Sequence, residues 1–442
     1  MTEFPDGFIW GASTASYQIE GAVNEDGRGP SIWDVFCHTP GKVANGDTGD
    51  IACDHYHRFH DDIELMARAN LNAYRFSIAW PRILPEGTGA PNARGLEFYD
   101  RLVDALLEKG IAPWPCLYHW DLPQALQARG GWENRDIADW FADYAEIVAA
   151  RIGDRAKNWV MLNEPQVTAH RGFAYAMYAP GFADRAKFFA ATHHQNLAQG
   201  RALARLRAIN PQWRLGTVFN LSVPTPESES AADREASRLY DLMWNRNFLD
   251  PLFRGHYPEE SEADLRGLVK ENDLACIRQQ IDFLGLNYYC RSFCRWDEKH
   301  PLKVARASAP ADRPRTCLDW EIYPDGLRQM LLRLRDEYGN PEVYITENGA
   351  ALEEPETAGG ELADDERIAF LQGYLGAMRQ AIAEGANVKG YMIWSIIDNF
   401  EWAWGYRPRF GLVHVDYRSQ ARTPKKSYRW YADVARRNAL PD

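Results

Sequence analysis

Short apolar runs alternate with longer amphipathic stretches along the whole chain. The runs are rich in β-branched and aromatic residues, as expected of strands buried on both faces, and the stretches between them repeat apolar positions at helical spacing. The predicted strands are Phe8–Thr14, Ala73–Ala79, Ile111–Tyr118, Asn158–Leu162, Leu215–Leu221, Ile281–Tyr288, Val343–Glu347 and Val388–Ile397. The clearest predicted helices are 57–69, 96–107, 137–148, 188–209, 327–334, 368–382 and 425–436.

This alternation predicts an α/β protein with a parallel sheet, and eight strands are the number that closes into a (β/α)8 TIM barrel. The alternative is an open doubly wound sheet, but no glycine-rich nucleotide-binding motif follows the first strand. No composition break divides the chain, so we predict one catalytic domain over residues 1–442. The basic, proline-containing stretch from Cys290 to Thr316 has no clear period and is interpreted as a hairpin-and-loop insertion.

Composition and charge narrow the classes of partner. Of 442 residues, 45% are hydrophobic and 13% aromatic, and 50 basic against 62 acidic residues give a formal charge of −12. Such a chain is a poor partner for nucleic acid or anionic lipid, and no apolar run is long enough to span a membrane. With 7 scattered cysteines and no recognisable secretory signal, we expect reduced thiols in a cytoplasmic protein. A homo-oligomer is compatible with the sequence, which leaves the oligomeric state open.

Polar and aromatic residues lie in the second predicted strand, as Arg75, and at or just after the ends of the other seven. In a barrel the carboxyl ends of all strands meet at one rim, where active sites lie. The set combines carboxylates, amides and tryptophan faces, which together suit the hydroxyls and the apolar face of a sugar. Its members are Gln18, Glu20, Arg75, His119, Trp120, Asp121, Asn163, Glu164, Asn220, Asn287, Tyr288, Tyr289, Glu347, Trp394, Asp398, Glu401 and Trp402.

Two of these glutamates, Glu164 and Glu347, end short apolar strands. Two carboxyl groups that flank a glycosidic bond can cleave it, provided that one is protonated and the other ionised. Arg75, inside the predicted barrel, would keep one carboxylate ionised, and the charge of that carboxylate would raise the pKa of its neighbour. The sequence therefore predicts a glycosidase site.

Three separate motifs resemble those of glycoside hydrolase family 1, the β-glucosidase family. Residues Phe8–Gly21 (FIWGASTASYQIEG) resemble the N-terminal signature of the family, Met161–Pro165 (MLNEP) its acid/base strand, and Ile345–Gly349 (ITENG) its nucleophile motif. The motifs occur in the family order, and the resemblance extends over essentially the whole chain.

The resemblance implies that Glu347 is the nucleophile and Glu164 the general acid/base, with Arg75 and Tyr289 hydrogen-bonded to the nucleophile. It implies retention of configuration, hence carboxyl groups ~5–5.5 Å apart, and a cis peptide bond at Trp394-Ser395. Trp320 would line the entrance, and Asn220 and Asn287 would support the other residues. The substrate-binding residues implied in the sugar pocket are Gln18, His119, Trp120, Asn163, Trp394, Glu401 and Trp402.

Two branches of the family differ from this chain at single positions, and these differences restrict the expected class of substrate. Members that act on 6-phosphorylated sugars replace the acidic residue at the position of Glu401, so we expect a neutral glycone here. Plant thioglucosidases lack the acid/base glutamate, whereas Glu164 is present, so we expect O-glycosides. No metal or other cofactor is expected. The histidines at 55, 57 and 60 and the cysteines at 53, 290 and 294 are more simply structural.

The expected function is hydrolysis of terminal β-D-glucosyl residues of β-glucosides and cello-oligosaccharides by a retaining enzyme. Two alternatives stay open: a transglycosylating β-glycosidase, and a catalytically silent sugar-binding barrel. The presence of both glutamates argues against the silent barrel. The sequence does not decide among glucose, galactose and fucose as glycone, nor does it define the aglycone.

Overall fold

A closed barrel of eight parallel strands forms the centre of the molecule. The structure is a computed structural model that describes residues 3–353, 357–358 and 361–441. Each strand pairs with the next along the chain, and the last pairs with the first, so the predicted (β/α)8 fold is confirmed. The strands are β1 Ile9–Ser13, β2 Ala73–Ser77, β3 Ala112–Tyr118, β4 Asn158–Asn163, β5 Arg214–Asn220, β6 Phe283–Asn287, β7 Val343–Glu347 and β8 Val388–Trp394.

One principal helix follows each strand and packs its apolar face on the outside of the barrel. The fifth continues from Tyr240 through a π-helical turn, Asp241–Arg246, into a further helix, Asn247–Phe253. The principal helices are α1 His55–Arg68, α2 Ala93–Glu108, α3 Ile137–Ile152, α4 Arg185–Ile209, α5 Ala231–Tyr240, α6 Pro324–Glu337, α7 Asp365–Ala383 and α8 Lys426–Arg437. Among the described residues, none of the helices has the length and apolar content needed to cross a bilayer.

Short elements build the loops that connect strands to helices. The helical ones are Ser16–Ile19, Ile32–Cys37, Ala44–Gly46, Trp80–Ile83, Gln124–Gln127, Gly131–Glu133, Pro165–Val167, Thr168–Ala174, Glu259–Ser261, Glu262–Leu265, Asp273–Ile277 and Trp402–Trp404. Two further antiparallel pairs are Thr357–Ala358 with Glu361–Leu362, and Val413–Asp416 with Ala421–Pro424.

The predicted hairpin insertion is present. Strand Ser292–Trp296 pairs antiparallel with Val304–Ala307, and Pro224–Pro226 adds a parallel edge strand that the sequence analysis did not predict. Its two prolines have a low propensity for strands, which is why the sequence did not predict it. Proline has no backbone N–H to donate, and an edge strand tolerates this because one of its sides is unpaired. This small sheet, defined here as the hairpin sheet, lies after the carboxyl ends of β5 and β6.

The predicted eighth strand was too long. It ends at Trp394, because the backbone N–H of Ser395 donates to the carbonyl of Phe410 (3.3 Å) and so leaves the barrel ladder. The peptide bond between Trp394 and Ser395 is cis, as the family resemblance implied.

Apolar side chains fill the barrel interior below the rim. They form a cluster separate from the larger core between strands and helices, and they leave the carboxyl ends of the strands as the open end of the barrel. The cluster consists of Ala73, Trp114, Cys116, Val160, Val218, Phe283, Tyr344 and Met392.

Candidate active site

A cavity of about 620 Å³ opens at the carboxyl ends of the barrel strands. Residues at or just after the ends of β3, β4, β5, β7 and β8 line it, which is where a barrel enzyme places its site. The lining residues are His119, Trp120, Glu164, Val167, Arg171, Tyr178, Asn220, Ser222, Tyr240, Trp244, Tyr289, Cys290, Ser292, Arg306, Trp320, Glu347, Trp394, Glu401, Trp402 and Phe410.

Glu347 ends β7 and is held by a cation and a hydroxyl. Arg75 donates from Nη1 to Glu347 Oε1 (2.7 Å), and the Tyr289 hydroxyl donates to Oε2 (2.7 Å). Burial raises the pKa of Tyr289 well above its usual range, so this hydroxyl stays a proton donor. The pairing register of β7 against β6 shifts between Ile345 and Glu347, an irregularity of the kind that redirects side chains at active sites.

Glu164 directly follows β4 and has a left-handed backbone, with φ of 48°. Pro165 then begins a short helix, because its fixed φ suits a first helical position. Asn220 and Asn287 both donate from Nδ2 to Glu164 Oε1, at 2.8 Å each. Within the described part of the chain, Glu164 therefore has amide partners where Glu347 has a guanidinium.

This difference in partners sets the proton affinities of the two carboxyl groups. Burial, and then the charge of Glu347, raise the pKa of Glu164 to about 8. Burial also raises the pKa of Glu347, but Arg75 and the Tyr289 hydroxyl oppose that rise by stabilising the ionised form. Glu347 is thus the member of the pair that ionises first, and Glu164 the member that keeps its proton near neutral pH.

Asn163, the last residue of β4, connects these groups to His119. Arg75 Nη2 donates to Asn163 Oδ1, so the amide nitrogen of Asn163 faces His119 Nε2 at 3.0 Å. Burial, with the charge of Arg75, lowers the pKa of His119 well below its usual range. The neutral ring accepts at Nε2, which leaves the proton on Nδ1, a buried atom without a partner among the described residues. Trp120 Nε1 donates to the Asn163 carbonyl (3.0 Å).

Gln18 is buried beside Glu401, which lines the cavity. Gln18 Nε2 donates to the Phe400 carbonyl (2.8 Å) and lies 3.4 Å from Glu401 Oε2, while Gln18 Oε1 is buried and unpartnered among the described residues. Burial raises the pKa of Glu401 to about 8. Unpaired buried polar atoms are costly unless a ligand satisfies them, so Gln18 Oε1 and His119 Nδ1 are suited to sugar hydroxyls.

Aromatic rings complete the walls. The His119 ring lies 5.7 Å from the Trp394 ring and 6.0 Å from the Trp402 ring, and Trp120 lies 4.7 Å from Trp402. Trp320 is partly exposed and stands edge-on to Tyr289 at 5.4 Å. Flat apolar faces beside amides and carboxyl groups form the environment that a pyranose needs.

Some polar residues that the sequence placed at the rim are structural. Glu20 accepts from Arg82 (3.1 Å) and from the Tyr99 hydroxyl (2.6 Å) and does not line the cavity. Asp121 accepts from Ser16 (2.7 Å), and Asp398 is bound by Lys425 (2.8 Å). A residue's position after a strand does not tell whether it points to the cavity or caps a neighbouring loop.

Other residues were missed by sequence reasoning. Asn399 accepts from Gln18 Nε2 (3.0 Å) and so helps to orient it. Arg171 and Arg306 line the cavity from the π-helical turn Thr168–Ala174 and from the hairpin sheet. The basic composition of 290–316 was the one available signal for Arg306, and the sequence carries no comparable signal for Arg171.

A (β/α)8 barrel with a buried carboxyl pair, unpaired polar atoms and aromatic walls at its rim is the architecture of an enzyme that cleaves glycosides. Comparison with known proteins defines the family. The family model described as Glycosyl hydrolase family 1 matches residues 1–440, and the chain belongs to that family.

Its relatives cover the chain from end to end. Beta-glucosidase A from Thermotoga maritima is 48% identical over 100% of both proteins. A bifunctional beta-D-glucosidase/beta-D-fucosidase from Bifidobacterium breve is 44% identical over 97% of each. The solved structure of the Thermotoga maritima β-glucosidase in complex with deoxynojirimycin superposes with a TM-score of 0.95 at 48% identity and 100% coverage of both chains.

Proposed function

We propose that this chain is a retaining β-glucosidase that removes terminal, non-reducing β-D-glucosyl residues from β-glucosides and cello-oligosaccharides, working as one catalytic domain. The proposal rests on the different surroundings of the two carboxyl groups at the rim, Glu164 and Glu347. Glu347 is bound by Arg75 and the Tyr289 hydroxyl, whereas the side chains that bind Glu164 in the described part of the chain are the amides of Asn220 and Asn287, and burial and the charge of Glu347 raise its pKa to about 8.

The first chemical step uses both carboxyl groups. A carboxylate oxygen of Glu347 attacks the anomeric carbon while Glu164 gives its proton to the glycosidic oxygen, so that the C–O bond to the aglycone breaks and an alcohol leaves. Arg75 and Tyr289 hold Glu347 ionised and oriented for this attack. The product is a glycosyl ester on Glu347.

The second step reverses these roles. Glu164, now ionised, takes a proton from water as the water oxygen attacks the anomeric carbon, and Glu347 departs as a carboxylate. Two inversions at one carbon retain the β configuration. Glu164 is then protonated again and ready for the next substrate.

The sugar is held by neutral and acidic groups around Glu401. We assign Gln18 and Glu401 to hydroxyl recognition, His119 Nδ1 to a further hydroxyl, and Trp394 to the apolar face of the ring. Trp120, Asn163, Asn287 and Trp402 support this pocket, and Trp320 stands at its entrance. Glu401 offers no cation to pair with a phosphate, and its ionised form would repel one, so we propose a neutral sugar.

Galactose and fucose are included as alternative glycones, and the relative from Bifidobacterium breve carries both glucosidase and fucosidase activities in its name. A transglycosylating enzyme is the second candidate, since the partly exposed Trp320 offers an acceptor a flat surface. The ratio of transfer product to free glucose, measured with added cellobiose as acceptor, distinguishes the two.

We also propose a cytoplasmic location, supported by the seven free cysteines.

The decisive experiment is hydrolysis of an aryl β-glucoside by the wild type and by Glu347→Gly, with and without azide. We expect the variant to lose activity and azide to restore turnover with an α-configured glucosyl azide as product, because azide occupies the space of the missing carboxylate. Glu229→Gly, which removes an exposed glutamate, is the matched control and should behave as wild type. Unchanged activity in Glu347→Gly would refute the mechanism, and absence of wild-type hydrolysis would refute the function.

A further inference from the structure

A second cavity of about 1080 Å³ continues outward from the catalytic one. The two share Arg171, Arg306, Tyr240, Trp244 and Trp320 as lining residues, so a leaving group that extends from the anomeric carbon enters this outer cavity. Its chemistry therefore concerns the aglycone.

Two arginines give the outer cavity its charge. Neither Arg171 nor Arg306 has a carboxylate within ion-pair distance in the described part of the chain. Arg171 donates to the Tyr178 hydroxyl (2.9 Å) and lies over the Tyr178 and Trp404 rings, and Arg306 donates to the Cys290 thiol (3.6 Å). Most other arginines described here hold an aspartate or glutamate, and the chain as a whole carries −12.

The charges of Arg171 and Arg306 lie close to each other, because both influence the Cys290 thiol. Burial raises the pKa of the Cys290 thiol, and Arg306 and Arg171 both oppose that rise. The histidines that line the cavity add no charge, because burial lowers the pKa of His170 to about 3 and also lowers that of His300. The positive charge of the outer cavity therefore comes from its two guanidinium groups and not from its histidines.

The carboxyl groups nearby do not cancel this charge. Asp319 lines the outer cavity, and hydrogen bonds from Ser308 and Arg315, with a smaller contribution from the charge of Arg306, lower its pKa; its carboxylate is bound to Arg315 (2.5 Å). At the inner end Glu347 is neutralised by Arg75, and burial raises the pKa values of Glu164 and Glu401 to about 8, so both are largely protonated near neutral pH. The outer cavity keeps an excess of positive charge.

Aromatic rings form the remaining walls. Tyr240 and Trp244 are stacked, with ring centroids 5.2 Å apart and planes inclined by 13°, and Trp320 also lines both cavities. Aromatic faces of this kind suit packing against a flat aromatic aglycone, and a guanidinium binds a carboxylate through two parallel hydrogen bonds.

We infer that the enzyme prefers β-glucosides whose aromatic aglycone carries a carboxylate, and that Arg306, with Arg171, is a specificity-determining residue for that group. The inference rests on the proposed β-glucosidase function. The competing role for the two arginines is to balance the catalytic carboxylates alone.

The test compares 4-carboxyphenyl β-D-glucoside with 4-carbamoylphenyl β-D-glucoside, an uncharged substrate of the same shape. The readout is the ratio of their kcat/KM values in the wild type, Arg306→Gln and Arg171→Gln, because a ratio compared across variants cancels the difference in leaving-group ability. We expect the ratio to fall by about fivefold or more in Arg306→Gln, mainly through KM of the anionic substrate.

Arg295→Gln is the matched control, since Arg295 lies on the same hairpin sheet, is nearest to Glu227 (4.0 Å) and lines neither cavity. Its ratio should equal that of the wild type. A salt series on the wild-type enzyme gives a readout that needs no variant: KM of the carboxyphenyl substrate should rise with NaCl while that of the carbamoyl substrate stays constant.

A ratio within twofold of wild type in both arginine variants, or a salt-independent KM, overturns the inference while leaving the β-glucosidase function intact. Absence of hydrolysis of both glucosides by the wild type instead refutes the function itself.

Discussion

Two buried carboxyl groups, Glu164 just after β4 and Asp398 just after β8, behave in opposite ways. Glu164 at the rim has two amide donors, and its pKa rises to about 8. Asp398, just after β8, is equally buried, yet Lys425, His414 and Arg409 outweigh burial and hold its pKa well below the usual range. Burial alone does not set the protonation state of these two carboxyl groups, since both are buried. The number of nearby cations decides it.

The two sites therefore affect stability in opposite directions. The Asp398 cluster fixes the loop that carries Glu401: Asp398 accepts from Lys425 Nζ (2.8 Å) and from the Gly411 N–H (2.8 Å). Glu164, in contrast, destabilises the folded state when it ionises. The comparison shows that, of these two buried carboxyl groups, the one that the fold leaves short of cations is the one that keeps its proton near neutral pH.

The largest stability change is expected for Lys425→Met. It leaves the buried Asp398 carboxylate with part of its counter-charge missing, so we expect the free energy of unfolding in urea to fall by about 3–5 kcal/mol. Lys426→Met, in which the neighbouring exposed lysine loses its contact with Asp365, is the control and should change it by less than about 1 kcal/mol. Equal effects in the two variants would contradict the structural role of the Asp398 cluster.

Glu164→Gln should stabilise the protein while impairing catalysis. The folded-state pKa of Glu164 lies above that of the unfolded chain, so the folded state binds the extra proton between about pH 4.3 and 8, and stability falls as pH rises through that window. Glutamine removes this penalty, so the variant should gain roughly 2 kcal/mol over wild type at pH 8 and much less at pH 5. Urea unfolding at both pH values measures the gain, and a pH-independent difference would contradict it.

The same variant should lose about 10²–10⁴-fold in kcat/KM on a phenyl glucoside, which needs a proton donor, and far less on a 2,4-dinitrophenyl glucoside, which does not. An equal loss on both substrates would indicate a structural fault rather than loss of the acid.

The pH profile distinguishes Glu164 from Glu401, since burial raises both pKa values to about 8. The alkaline limb of kcat/KM on a phenyl glucoside should reflect loss of the Glu164 proton, so it should persist in the residual activity of Glu401→Gln. It should flatten when the wild type acts on the dinitrophenyl glucoside. Loss of the limb in Glu401→Gln would reassign it to Glu401.

The smallest expected effect is that of Asn220→Ala. The Asn220 amide stabilises the ionised form of Glu164, so its removal should move the alkaline limb upward by about half a pH unit. Asn287→Ala should disturb activity more, because Asn287 also contacts Asn163 (3.1 Å) and accepts from Thr346 (2.7 Å). A downward shift in Asn220→Ala would contradict the hydrogen bond described here.

The sequence by itself determined the barrel and its two central glutamates. The spacing of apolar residues distinguishes strands from helices, because the two structures repeat at different periods. In a parallel barrel all strands have their carboxyl ends at the same rim, whichever side chains they carry. For that reason Glu164 and Glu347 were predictable from the apolar runs before them, and the hairpin in 290–316 from its lack of helical period.

Only the tertiary structure decided which carboxyl group meets which charge. Glu20 and Asp398 follow strands just as Glu347 does, but each is bound by a cation from a distant segment, Arg82 or Lys425, and is withdrawn from the cavity. Arg171 and Arg306, 135 positions apart in the sequence, meet at the outer cavity. Electrostatic roles depend on distances of a few ångströms between remote segments, and a one-dimensional pattern does not contain those distances.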